Sequence, residues 1–275
     1  MSADHTRSRA WPVGVGGVLT ALASSVLLLF LLVPIGAVVG RGTSDGLAHL
    51  AHDTELRQAL GLTALTATVA TLLGVALGTP LAWLLARRAF PGRAIVAGAL
   101  DLPIVIPHPV AGIALLLVLG RDSAIGHLLA AVGLRVVSAP LGIVLAMLFV
   151  SASLYVSAAR EAFARVNRRY ESVAQTLGDT PLRAFRRVTL PLAGRGLLAA
   201  AVVMWARAVS EFGAIVILVH APRTVSVLSY DRFTTYGLSE AMPVAAVLVL
   251  AALIPLIALR ALRADSVWQG RGHDA

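Results

Sequence analysis

Apolar residues in this chain come in runs of about twenty, the length at which a helix crosses the hydrocarbon of a bilayer. Six such runs lie at about 12–39, 61–86, 95–119, 139–159, 196–219 and 242–260. The polar stretches between them are short, with one exception. Residues 160–195 form a long Arg-rich loop between the fourth and fifth runs. The pattern predicts an all-α polytopic membrane protein of six transmembrane helices, forming one domain over residues 1–275. The run that starts at Trp11 exceeds the core of a signal peptide and reads as a retained first span.

Within the long loop, Tyr170, Val173, Ala174 and Leu177 fall at i, i+3, i+4 and i+7, one apolar face of a helix. Gly178 follows, a residue that ends helices by taking a left-handed conformation. Thr180 is then placed as an N-cap and Pro181 at the first helical position, where its missing N–H costs nothing. In the second helix Leu182, Phe185 and Val188 oppose Arg183, Arg186 and Arg187. Two amphipathic helices outside the membrane pack on the ends of their own subunit or dock a partner.

Composition supports the bilayer as solvent. Hydrophobic residues make up 58% of the chain, charged ones 13%, and mean hydropathy is +0.84. All 23 basic residues are Arg. Without Lys there is no P-loop, so no Walker-type ATP site. The net charge of +9 belongs to loops flanking the spans and not to a nucleic-acid surface. Sixteen Arg, among them Arg7, Arg9, Arg87, Arg183, Arg187 and Arg271, fall on one side of the six spans; six, including Arg41, Arg57, Arg223 and Arg232, fall on the other. The positive-inside rule places the first set, both termini and the 160–195 loop in the cytoplasm. Arg223 and Arg232 are then external. There they attract an anion, pair with an acidic docking surface, or stand as solvated charges. With no Cys, and no metal-ligand spacing of His and acids, no metal or cofactor is expected. No Ser-His-Asp set is legible either, so the chain does not read as an enzyme. No internal repeat supports an inverted-repeat carrier.

Two segments put polar groups in the membrane. Arg207 and Glu211 are four apart near the middle of the fifth span, on one helix face, where an ion pair can form. It either locks helix packing or lines an anion path. Ser210, Phe212 and Gly213 adjoin them: Phe212 is a candidate plug or a packing residue, and Gly213 permits close helix approach. The third span carries Pro103, Pro107 and Pro109. Each Pro removes a backbone bond, so a kinked span beside an aqueous path is expected, with Asp101 and His108 next to it.

The loop resembles the "EAA" loop of permease subunits of ABC importers, whose pattern is E-A-A, three residues, Gly, nine residues, Ile, one residue, Leu-Pro. Here Gly178 is followed by nine residues and then Val188, Thr189, Leu190 and Pro191. Ala174 takes the second Ala position, Val173 the first and Ser172 that of the acid. Glu171 stands one residue earlier, as in molybdate-type permeases. L-P-I-V-I-P-H-P-V-A-G-I-A-L-L at 102–116, S-E-F-G-A-I-V-I-L at 210–218 and S-Y-D-R-F-T-T-Y-G-L at 229–238 are similar to molybdate/tungstate permeases, and sulfate permeases carry close variants of the second. The resemblance implies a type I ABC importer permease, working as a homodimer in a prokaryotic cell membrane. Its partners would be an ATP-binding cassette ATPase, an extracytoplasmic oxyanion-binding protein and membrane lipid. Glu171, Ala174, Gly178, Leu190 and Pro191 would belong to the ATPase-coupling loop. Arg207, Ser210, Glu211, Phe212, Gly213, Pro103, Pro107 and His108 would lie at the translocation path or its gate. A sulfate permease, and a carrier or channel without an ATPase, are the alternatives.

Overall fold

The computed structural model describes residues 15–269. Arg7, Arg9, Arg271 and both chain ends, on which part of the orientation rested, lie outside the described residues, as do the side chains of Arg260 and Arg263. The described residues form helices α1 (Val15–His52), α2 (Thr54–Arg87), α3 (Arg93–Val105), α4 (His108–Leu119), α5 (Ala124–Ala131), α6 (Pro140–Arg165), α7 (Arg168–Thr176), α8 (Pro181–Ala184), α9 (Leu190–Val209), α10 (Gly213–Leu218), α11 (Val225–Tyr236) and α12 (Leu238–Gln269). A π-helical turn, Phe185–Thr189, joins α8 to α9.

The all-helical architecture matches the hydropathy pattern, but two expected spans are not continuous. Among the described residues, four helical stretches are long and apolar enough to cross a membrane: Gly16–Gly42 in α1, α2, α6 and the composite Pro181–Val209. The third run, 95–119, is no gently kinked helix. It is α3 and α4 set at 115°, because Pro107 and Pro109 open α4 and remove the donors that would have carried α3 onward. The fifth run, 196–219, is broken at Ser210–Phe212 between α9 and α10. The last run begins earlier than expected, within α12; its described apolar part is Leu238–Leu253.

The core is built from α2, α6 and α9. Small residues on α2 (Ala67, Ala70, Ala82) and on α9 (Ala193, Ala200) are buried and let the helices approach α6 closely. Met147, Tyr155 and Phe163 of α6 fill the space between them. Hydroxyls in this apolar interior bond backwards to the turn below. Thr63 donates to the Ala59 carbonyl at 2.7 Å, Thr66 to Leu62 at 2.7 Å and Thr79 to Val75 at 2.6 Å. These three O–H groups are thereby satisfied without water, while the buried Thr71 and Ser153 hydroxyls have no partner among the described residues. The opposite faces of α1 and α2 stay bare: Phe30 of α1 is 73% exposed and Leu77 of α2 66%. Exposure of that size in side chains this large marks a surface for lipid or another subunit.

α2 is tied at both ends. Asp53 caps its N-terminus by accepting from the Leu56 N–H at 3.0 Å. The same carboxylate holds Arg232 of α11 at 2.5 Å. Arg232 also meets Glu55 at 3.4 Å, while Arg223 bridges Glu55 and Asp231, each at 3.1 Å. Arg223 and Arg232, open to anion attraction, an acidic docking surface or plain solvation on sequence grounds, are thus paired within the chain. Burial pushes the Asp53 carboxyl up, but the Leu56 N–H and the Arg232 bond and charge outweigh it, and the group sits below the ordinary carboxylate value.

Asp53→Asn keeps a capping oxygen and loses the charge facing Arg232. Thermal unfolding of the purified protein should show the variant less stable at neutral pH by about 1 kcal/mol. A lowered folded pKa makes the native advantage complete above the unfolded value of about 3.9 and lost as acid titrates Asp53. The gap between the two proteins should therefore close on acidification. A gap that does not change with pH would contradict the ion-pair account.

Candidate functional site

The expected loop forms around a helix stop that the sequence encodes. Asn167 caps α7 by accepting from the Arg169 N–H at 2.9 Å. α7 closes with Gly178 at φ +100°. The Gly178 N–H donates to Gln175 and the Asp179 N–H to Ala174, both at 3.0 Å, the two bonds of a Schellman motif. Thr180 then accepts from the Arg183 N–H and Pro181 opens α8. Asp179, in the link, holds Arg183 at 3.7 Å and Arg187 at 3.5 Å, both on the second helix.

The second helix does not end where the sequence reading put it. α8 continues through the π turn into α9, so the loop's second half is the first part of a long helix. Pro191 has no N–H to give; the register widens there, and the Leu190 N–H bonds to Phe185. Leu190 packs on the α2–α6 core and Pro191 is exposed at the start of α9.

The loop has an inner and an outer face. On the inner face Phe185 sits between Trp83 and Phe163, ring centroids 5.5 and 6.0 Å away. The buried Thr189 hydroxyl donates to Glu171. Arg87, at the end of α2, lies 3.5 Å from Glu171 and donates to the Val166 carbonyl at 2.8 Å. Glu171 is therefore an internal anchor, not an outward contact, and Ala174 beside it is half-buried. On the outer face Tyr170, Val173, Leu177 and Leu182 are bare; Leu177 is 84% exposed and Leu182 67%. Arg87 and Thr189 had no signal in the sequence. The pairing of Arg87 with Glu171 spans 84 positions, and only the fold brings them together.

The second constellation surrounds the break after α9. Arg207 and Glu211 pair at 2.8 Å, as their spacing predicts, but at a helix end and not within a span. Glu211 is 1% exposed. Its other carboxylate oxygen accepts from the Ala214 N–H at 2.9 Å and caps α10. Its backbone carbonyl accepts from the Ser226 hydroxyl at 2.6 Å. The Ser210 hydroxyl bonds to the carbonyls of Ala206 and Arg207, both at 3.1 Å. An irregular backbone at membrane depth is thereby satisfied by its own side chains.

α4 meets this break directly. Arg207 lies 2.6 Å from His108 Nε2. A guanidinium can only donate, so Nε2 is the acceptor of this contact. A Cβ on Gly213 would come within 2.7 Å of the His108 Cβ, so only Gly lets α10 start here. The structure thus brings His108, Arg207, Glu211 and Gly213 together, with Ser210 and Phe212 in the link and Pro107 capping α4. Pro103 lies within α3, on the far side of the bend. Phe212 packs on Tyr230 with centroids 4.9 Å apart. Both border a cavity of about 560 Å³ that also takes in Arg41, Ser210 and Ser226.

With this geometry in hand, the comparisons place the chain. Residues 78–264 match the family described as binding-protein-dependent transport system inner membrane component. The molybdate/tungstate transport system permease protein WtpB of Thermococcus kodakarensis is 37% identical, covering 88% of this chain and 94% of its own. The WtpB of Pyrococcus furiosus is 43% identical over 76% and 77% of the two chains. The sulfate transport system permease protein CysT of Salmonella typhimurium is 30% identical over 94% and 96%. Among solved structures, a bacterial ABC transporter involved in import of the acidic polysaccharide alginate superposes with a TM-score of 0.67 at 17% identity, covering 89% of this chain and 94% of that one. The fold and the loop define a membrane permease component of an ABC importer. The chain belongs to the family of binding-protein-dependent transport system inner membrane components.

The two constellations differ in what a lost partner costs. Arg207→Leu strands a buried carboxylate, which typically costs about 3–5 kcal/mol. Glu211→Leu should cost less, because Arg207 keeps a quarter of its side chain exposed. The double variant should be milder than the sum. Thermal unfolding of the three purified variants checks this. Additive losses would show that the two side chains do not interact.

Proposed function

We propose that this chain is the transmembrane subunit of an ATP-driven importer for molybdate and tungstate. A homodimer of it forms the translocation path, and a separate ATPase drives it from the cytoplasmic side. The observation that carries the reading is the bare apolar outer face of α7 and α8, backed by a stiff inner face. Such a face transmits a push without folding away. Permease membership and the identity to molybdate/tungstate relatives support the substrate class; the lower identity to sulfate permeases supports the wider class of tetrahedral oxyanions.

In this reading all 275 residues act as one domain, with the 160–195 loop and both termini in the cytoplasm. The loaded extracytoplasmic binding protein docks on the side of Asp53, Glu55 and Asp231. ATP-driven closure of the two ATPases moves the paired loops, and rigid-body helix motion opens the path outward. Glu171 holds the loop to α2, Gly178 sets its angle, and Ala174, Leu190 and Pro191 shape its seat. The path runs beside the two breaks. Arg207 faces it with its exposed quarter, while Glu211 is turned into the protein and does not repel the anion. Ser210 presents a hydroxyl, Phe212 the bulk of a gate, and Gly213, His108, Pro103 and Pro107 keep the bent helices in place.

The test is uptake into liposomes holding the permease, its ATPase and its binding protein. Molybdate or tungstate should accumulate only with ATP and binding protein present. Uptake that ignores ATP would support a carrier or channel instead, and uptake of sulfate alone would move the substrate assignment. In the same liposomes Gly178→Val should insert yet lose most stimulation of ATP hydrolysis by loaded binding protein, since a β-branched residue resists a positive φ. Native stimulation in that variant would sink the coupling role.

A further inference from the structure

Behind the loop lies a small basic cavity that neither the loop nor the path explains. It measures about 210 Å³ and is lined by Trp83, Arg87, Arg88, Arg168, Glu171 and Gln175. Three guanidiniums face one carboxylate there, a formal excess of positive charge. The Arg87 side chain is only 6% exposed; Val166 and Glu171 engage its Nη2, and no bond engages its Nη1 among the described residues. Arg168 gives one donor to the Ala86 carbonyl at 3.3 Å and keeps others. Arg88 forms no ion pair among the described residues. Guanidinium forks match the edge of a tetrahedral oxyanion.

We infer that this cavity is a binding site for a doubly charged tetrahedral oxyanion group, of the phosphate, sulfate or molybdate class. The group bridges Arg88 at the end of α2 to Arg168 and Gln175 on α7, with the Arg87 guanidinium in the wall. It stands apart from the proposed translocation path and touches the loop whose motion the transport cycle requires. Its occupancy therefore tightens the loop on α2. The same chemistry is offered by a free anion and by the phosphate of an anionic lipid headgroup, since the site lies where α2 ends.

The experiment uses the full-length chain in nanodiscs, without binding protein or nucleotide. Radiolabelled sulfate and inorganic phosphate are titrated by equilibrium dialysis in phosphatidylcholine discs. Retained phosphatidylglycerol is counted by native mass spectrometry in mixed discs. Saturable binding of the inorganic anions assigns a free ligand. One retained phosphatidylglycerol per chain, with the free anions bound only in its absence, assigns a lipid headgroup. In either case Arg88→Gln and Arg168→Gln, both on exposed positions, should weaken binding about tenfold each, as the loss of a charge-assisted bond requires. Gln175→Glu should abolish it. No binding of any probe, or equal binding in all three variants, overturns the site. Loss of uptake with binding intact would count against the transport reading and leave this one standing.

Discussion

A carboxylate buried where a membrane helix breaks is the feature on which the packing around the two bent spans depends. Hydrocarbon offers no partner to a charge or to a freed backbone group, so both must be met from within. Glu211 meets several needs at once. It neutralises Arg207, caps α10 through the Ala214 N–H, and through its carbonyl takes the Ser226 hydroxyl at the start of α11. Arg207 in turn reaches His108 at the first residue of α4. Two broken spans, α3–α4 and α9–α10, are thereby fastened to each other at their breaks, and Gly213 lets them touch.

The opposite constraint governs the loop. It must be stiff on one side and bare on the other. Stiffness comes from α2, a helix of 34 residues that ends in Arg87 under Glu171 and begins in Asp53 against Arg232. One rigid element therefore links the loop to the ion-pair cluster at the far end of the bundle. The π turn belongs to the same device. It lets α8 run into α9 across Pro191, so in the proposed cycle a push on the loop would enter a long helix that ends at the Arg207–Glu211 break.

Much of this was legible in the residues, and the failures have physical causes. Gly178, Thr180 and Pro181 act through local backbone geometry, and each stands where its chemistry requires. The Arg207–Glu211 pair followed from a helical repeat of four. The breaks did not follow, because hydropathy measures length and apolarity and is blind to a three-residue link satisfied by its own side chains. Prolines at 107 and 109 signalled a disturbance but not a 115° bend. Contacts across long stretches of chain, Arg87 with Glu171, Arg207 with His108 and Arg232 with Asp53, carry no trace in the sequence. That is why the sequence places Glu171 in the loop without its partner, and leaves Arg232 open among anion attraction, docking and solvation, until the fold is known.

The central claim is that the outer face of α7 and α8 is the surface on which the ATPase acts. The chain has no Cys, so single Cys residues can be placed at Leu177 and Leu182 without background. In the assembled importer a short bifunctional thiol reagent should join each position to an ATPase subunit carrying a Cys at its membrane-facing surface. The yield should change when ATP is added, while a Cys at exposed Phe30 should give no product. Free labelling of positions 177 and 182 in the intact complex, with no cross-link in any nucleotide state, would contradict the account.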